Sequence, residues 1–240
     1  GCTCSTSVII SQPGAIVPLI TSVNINGSNV SCFGFADDSS CASATGGTLP
    51  YTYFWSPSNL STQCVTGQGG GVTICVTVTD ANGCTGDTCK LIIQPPLLSL
   101  SVDTISQYTC GNISCNGLTD GFAHIITSGG TSPFTYLWSS AQTTEDINNI
   151  GAGTYTITVT DFNGCTATIS VTLTQQPVLA DILISPVFGG GYNIPCRGQS
   201  TGEIHPNPSG GCVPYTFDWA DLAGNNNPQH RTGLPAGVYC

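Results

Sequence analysis

The sequence contains no methionine and very little charge. Three Lys or Arg residues face thirteen Asp or Glu in 240 residues, a net charge of −10. Nucleic-acid binding depends on Lys and Arg meeting phosphates, so that class is excluded. Attachment to anionic lipid is disfavoured for the same reason. No apolar run reaches the roughly 18 residues of a membrane-spanning helix, so no membrane insertion is expected. A secretory signal pattern is also absent. Together with the missing methionine, this leads us to expect a window on a longer, processed protein. No C-x-x-C pair occurs, and the three histidines are far apart in sequence. Metal-ligand spacing is therefore lacking and no cofactor is expected. No nucleophile, base and orienting group come together in any motif, so no enzyme is expected.

What is present is cysteine and repetition. Fourteen cysteines in a chain this size indicate disulfides and an oxidising, extracellular compartment. "VTVTDANGC" at 76–84 returns as "ITVTDFNGC" at 157–165. Gly-Cys recurs at 1–2, 83–84 and 164–165, and Gln-Pro at 12–13, 94–95 and 176–177. The tryptophans Trp55, Trp138 and Trp219 each close an aromatic stretch, "YTYFW", "FTYLW" and "YTFDW". All markers step by 81 to 83 residues. Such a period indicates a tandem array. Repeats are expected over 14–96, 97–177 and 178–240. Residues 1–13 match the last strand of a preceding or neighbouring repeat.

"TYTITVTD" alternates strictly, with Tyr155, Ile157 and Val159 on one side and threonines on the other. That is the period of a half-buried strand. Asp-x-Asn-Gly follows at 80–83 and 161–164, a tight-turn signal in which glycine takes positive φ. Each repeat therefore ends in a hairpin, and no segment shows sustained helical periodicity. Six to seven short strands per repeat give an all-β chain of immunoglobulin-like sandwiches. The tryptophans should fill the sandwich cores.

"SCNGLTDGFAHIITSGGTSPFTYLWSS…GAGTYTITVTDFNGCTATISVTLTQQP", 114–177, resembles an SprB-type, PKD-like repeat of the large surface adhesins of gliding Bacteroidota. The first repeat keeps "SCFG" and "VTVTDANGC" but departs at "TGQGGG"; the third keeps "PCRGQSTGEI" but carries "NNNPQH". The resemblance implies export, cell-surface display and adhesion.

Spacing gives a first choice for the disulfides: Cys32–Cys84 and Cys115–Cys165 within repeats. A rival joins Cys84 to Cys115 and Cys165 to Cys196. Cys64–Cys75 is read as a cross-strand staple, with Cys41–Cys89 and Cys212–Cys240 completing the set. Cys4 and Cys110 have no obvious partner.

Other candidate sites are sparse. His124 reads as an ordinary strand histidine, and His205 and His230 as loop residues. Asp80, Asp161 and the Asp37-Asp38 pair admit calcium, since it takes oxygens from a compact loop, but an Asx turn is the better reading at the hairpins. Sequons mark Asn26, Asn29, Asn59 and Asn112 for glycosylation. Thr104, in Asp-Thr-Ile, resembles a short O-glycosylation signal of Bacteroidota.

The leading expectation is a structural segment of an extracellular surface fibre or adhesin, giving reach, stiffness and attachment. The alternative is a carbohydrate-binding module with a site in the irregular loops near Gly69, Asn112 or Asn226. Expected partners are copies of the chain or further repeats, end to end, and surface glycans. In such an assembly Gly1–Pro13 should pack on the truncated end of a neighbouring third repeat, either as the same polypeptide continued or as a donated strand, with Cys2 bonded to Cys196 across the junction.

Overall fold

A computed structural model describes residues 6–220, 222 and 228–239. These residues contain fifteen strands and no helix. The chain divides into two compact units. One holds Gly1–Ser101, Ile126–Thr144 and Ile157–Ile169; the other holds Val102–Ile125, Glu145–Thr156 and Ser170–Cys240.

The first repeat lies in the first unit. Its strands are β1 (Val17–Ser22), β2 (Ser39–Thr45), β3 (Thr52–Ser56), β4 (Cys64–Thr66), β5 (Thr73–Thr79) and β6 (Thr85–Leu91). They form two antiparallel sheets, ordered β1-β2-β4 and β3-β5-β6. Alternation decides what is buried. In β5, Ile74, Val76 and Val78 are buried, while Thr73 and the other outward positions stay wet. Ile20, Ala42 and Val65 of one sheet meet Trp55 and the β5 residues of the other, with Val30 and Ile92 closing the core. Each fully buried aliphatic of this kind contributes roughly 1.5–3 kcal/mol relative to exposure.

The second repeat has β7 (Ser99–Ile105), β8 (Gly121–Ser128), β9 (Thr135–Trp138), β10 (Ile147–Ile150), β11 (Gly153–Thr160) and β12 (Thr166–Leu173). Its sheets run β10-β8-β7 and β12-β11-β9, the same order strand for strand. In the third repeat β13 (Leu183–Ile184), β14 (Gly202–Pro206) and β15 (Arg231–Leu234) form one sheet, the counterpart of β1-β2-β4. No second sheet is present among its described residues.

The tryptophans are core residues, as the alternation predicts. Trp55, Trp138 and Trp219 are 0%, 2% and 4% exposed. Each indole N–H donates to a loop carbonyl, of Thr62 at 2.8 Å, Thr144 at 3.0 Å and Pro228 at 2.9 Å. A buried indole needs such an acceptor.

A glycine pair sits at one corner of every repeat: Gly46-Gly47, Gly129-Gly130 and Gly210-Gly211. The first of each pair has φ near +70 to +80°. A Cβ there would lie 1.9–2.0 Å from the carbonyl oxygen of Ala15, Leu97 or Val178. Only glycine lets the strand that opens the repeat pass this close.

Candidate functional site

Two recurring local structures meet where one repeat follows another. The first is the D-x-N-G-C turn after β5 and β11. Asp161 is nearly buried, and its Oδ1 accepts the N–H of Asn163 and of Cys165, both at 2.9 Å. Its Oδ2 accepts the N–H of Thr131 at 2.9 Å. Asp80 repeats the pattern with Asn82, Cys84 and Thr48, each at 2.9 Å. For Asp80, burial acts to raise the carboxyl pKa, but the hydrogen bonds from Cys84, Thr48 and Asn82 outweigh it and hold the group below its ordinary value. The carboxylates thus act as Asx-turn caps that present the cysteine.

The second is the Ser-Cys loop after β1 and β7. Ser31 N–H and hydroxyl donate to Asp37 at 3.1 and 2.5 Å, and Ser114 does the same to Asp120. The Ser114 hydroxyl is the main reason Asp120 stays below the usual carboxylate range. Asp37 therefore organises its own loop, and Asp38 accepts from Ser40 at 2.7 Å. Among the described residues, no group of three or more His, Cys, Asp or Glu could hold a metal ion.

In the first unit the loop of repeat one receives the turn of repeat two. Cys32 is bonded to Cys165, 133 residues away, with Cα atoms 5.7 Å apart. Asn163 Nδ2 donates to Ser31 O at 3.0 Å and contacts Thr131 Oγ1 at 3.2 Å, while Asn26 Nδ2 donates to Asn163 Oδ1 at 2.7 Å. Phe33, Phe35, Leu97 and Leu98 line a cavity of about 210 Å³ beside the bond. The second unit carries another bond between repeats, Cys110–Cys212, with Cα atoms 5.9 Å apart. Cys110 sits in the bridged turn 108–111 that matches 25–28, and Cys212 follows the glycine pair as Thr131 does. Both bonds therefore use the same face of a repeat.

Several expected pairings are corrected. Cys32–Cys84 and Cys115–Cys165 do not form, because the turn of repeat two lies against the loop of repeat one. Its rival fails too: Cys84, Cys115 and Cys196 are free and exposed. Cys64–Cys75 and Cys41–Cys89 are replaced by Cys41–Cys64 and Cys75–Cys89. Register explains the exchange. Cys41 stands opposite Cys64 on β2 and β4, and Cys75 opposite Cys89 on β5 and β6. Cys212 is taken by Cys110, not by Cys240. Cys2, Cys4, Cys240 and the loop at Asn226 lie outside the described residues, so the expected Cys2–Cys196 bond does too.

The remaining candidates divide clearly. Asn29 is buried; its Nδ2 donates to Val23 O at 2.8 Å and its Oδ1 accepts from Ile93 N–H at 2.9 Å. Asn112 makes the same two contacts with Ser106 O and Thr174 N–H. Both are strand clamps rather than free glycan acceptors. Asn26, Asn59 and Thr104 are exposed. His124 lies on β8 with Nδ1 2.9 Å from Asp146 and its ring edge-on to Phe122. His205 is on β14, not in a loop, 2.9 Å from His230. The roles of Asn26, Ser31 and Asn163 were not foreseen, although the invariant "NGC" spelling was the signal available.

The family comparison agrees with this repeating geometry. The SprB repeat model matches residues 108–143 and 193–224. Two stretches of the chain are thus SprB-type repeats. They span the cysteine loop, the glycine corner and the tryptophan segment of the second and third repeats. No curated protein matches the chain. SprB-type repeats together with the disulfides point to a secreted or surface-associated repeat protein.

Proposed function

We propose that this chain is a structural segment of an extracellular surface fibre or adhesin, setting reach and stiffness and using no enzymatic chemistry. The observation that supports it is the junction in which Cys32 bonds Cys165 while Asn163 bridges Ser31 and Asn26. A loop-to-turn contact that is both covalent and hydrogen-bonded resists bending between successive modules. A net charge of −10 with few lysines suits a soluble spacer. The array grows by further repeats or further copies, end to end. Imaging of the native assembly tests this reading. A beaded fibre of modules roughly 30–40 Å long supports it. Separate compact monomers would contradict it.

A further inference from the structure

Two of the three histidines, far apart in sequence, are brought together by the sheet of the third repeat. His205 stands on β14, and His230 immediately precedes β15. Their Nδ1 atoms are 2.9 Å apart. The ring centroids lie 4.8 Å apart, with the planes inclined by 53°. The other nitrogen of His205, Nε2, is 3.1 Å from Glu203 Oε2. A carboxylate only accepts, so Nε2 carries the proton, and Nδ1 of the neutral ring keeps its lone pair toward His230. By the period of two, Glu203 and His205 share the face opposite the buried Gly202 and Pro206. His205 and Glu203 are part-exposed and His230 is exposed, so the point between the two Nδ1 atoms is open to ions from solvent.

The second repeat shows the same place with different chemistry. His124 is the counterpart of His205 and Asp146 that of His230, because Ile147 pairs with Ala123 as Arg231 pairs with Ile204. There His124 Nδ1 meets Asp146 Oδ2 at 2.9 Å, and Asp146 Oδ1 accepts the Ile125 N–H at 3.0 Å. That is a self-contained ion pair in which the carboxylate is already used by the backbone. The Phe122 ring stands edge-on to His124. In the third repeat two substitutions act together. The aspartate becomes a second imidazole, and the phenylalanine becomes Glu203, bonded to the far side of His205. A metal-ligating histidine typically donates its other ring N–H to a carboxylate, which fixes the tautomer and the ring orientation. Glu203 and His205 have that relationship.

We propose that His205 and His230 bind one divalent transition ion through their Nδ1 atoms, with Glu203 orienting His205 from behind. Imidazole suits zinc, nickel and copper, and affinity is highest for Cu(II). Tetragonal Cu(II) sets neighbouring ligands at a right angle. Two metal–imidazole bonds of about 2.0–2.1 Å then hold the nitrogens about 2.9 Å apart. That is the separation the two rings already have. The described residues bring two ligands to this point rather than three, so water completes the shell. When Nδ1 of His230 takes the ion, that ring carries its proton on Nε2. The neighbouring cation, Arg231, has its guanidinium over the Trp219 and Tyr239 rings, 5.1 and 5.2 Å from their centroids. A net charge of −10 favours cation approach. The bound ion clips β14 to the start of β15, where the pairing is irregular between Gly202 and Ile204. A spacer needs no metal, so this site can fail while the spacer reading stands.

The test uses the full chain with its disulfides intact and its free thiols blocked by iodoacetamide, titrated with Cu(II) sulfate and followed by electron paramagnetic resonance. The expected result is one tightly bound ion coupled to two imidazole nitrogens. His205→Ala and His230→Ala should each weaken binding about tenfold or more, and Glu203→Gln about tenfold. In Glu203→Gln the two-nitrogen signature should return at higher copper, because both ligands remain. His124→Ala should bind as the parent chain does. Trp219 gives a second reading, since its indole N–H donates to Pro228 O, two residues before His230. Bound Cu(II) should quench part of the tryptophan emission in the parent chain and not in His230→Ala, while equal emission without metal shows that the variant is folded. Bound copper without imidazole nitrogens, unchanged affinity in both histidine variants, or an equal loss in His124→Ala would overturn the site. Unchanged affinity in Glu203→Gln would overturn its orienting role.

Discussion

Cys32 and Cys165 belong to different repeats, yet their Cα atoms are 5.7 Å apart and their sulfurs are bonded. The loop of one module is thus tied to the turn of the next. The proposed stiffness of the array rests on this relationship.

Breaking that tie should loosen the junction without dissolving the modules. A loop of 133 residues closed by a disulfide is worth up to about 5 kcal/mol in the chain-entropy model. Cys165→Ser should raise amide exchange at residues 26–35 and 161–166. Val76 and Val78 in the core of repeat one should keep their protection. Equal loss everywhere would mean that the bond stabilises the modules themselves.

The tryptophans give a direct probe of core packing. Trp55→Ala should cost about 3–5 kcal/mol, through a large cavity and the orphaned Thr62 carbonyl. Denaturant melts followed by emission check this. Before unfolding, all three indoles should emit in the blue and resist a soluble quencher.

Tandem markers, alternation and Asp-x-Asn-Gly turns were enough to read the strands, the hairpins and the buried indoles, because all three are local patterns. The disulfides were not readable, because pairing depends on which strand lies next to which. Spacing alone sets Cys64 facing Cys75 across "TGQGGG". It is a three-residue strand that pairs with β2 instead, which puts Cys64 opposite Cys41. The same spacing pairs Cys84 and Cys165 inside their own repeats. Nothing in a single repeat's spelling says that its turn docks on the loop of the preceding module.

Asp80 makes turn stability depend on pH. Its folded pKa lies below the ordinary 3.8. The stabilisation is therefore present above the unfolded pKa of about 3.9, and it is lost as pH falls through the lower folded value. Asp120 follows the same sign through Ser114. Asp80→Asn should weaken the turn at neutral pH and flatten the acid limb of a stability-versus-pH curve. An acid limb of unchanged slope in this variant would contradict the cap.

The glycine corner should be intolerant where the hairpin turn is mild. Gly129→Ala places a Cβ 1.9 Å from Leu97 O, at φ +69°, and should cost about 3 kcal/mol or more. Gly164→Ala meets nothing within 4 Å, and only its φ of +87° opposes it, so about 1–2 kcal/mol is expected. Thermal melts of the two variants side by side decide the order.

Disulfide mapping of the oxidised protein is the most direct test of the junction. Proteolysis under non-reducing conditions, followed by mass spectrometry of linked peptides, should yield Cys32 joined to Cys165. Recovery of Cys32–Cys84 together with Cys115–Cys165 would place the bonds inside the repeats and contradict the account.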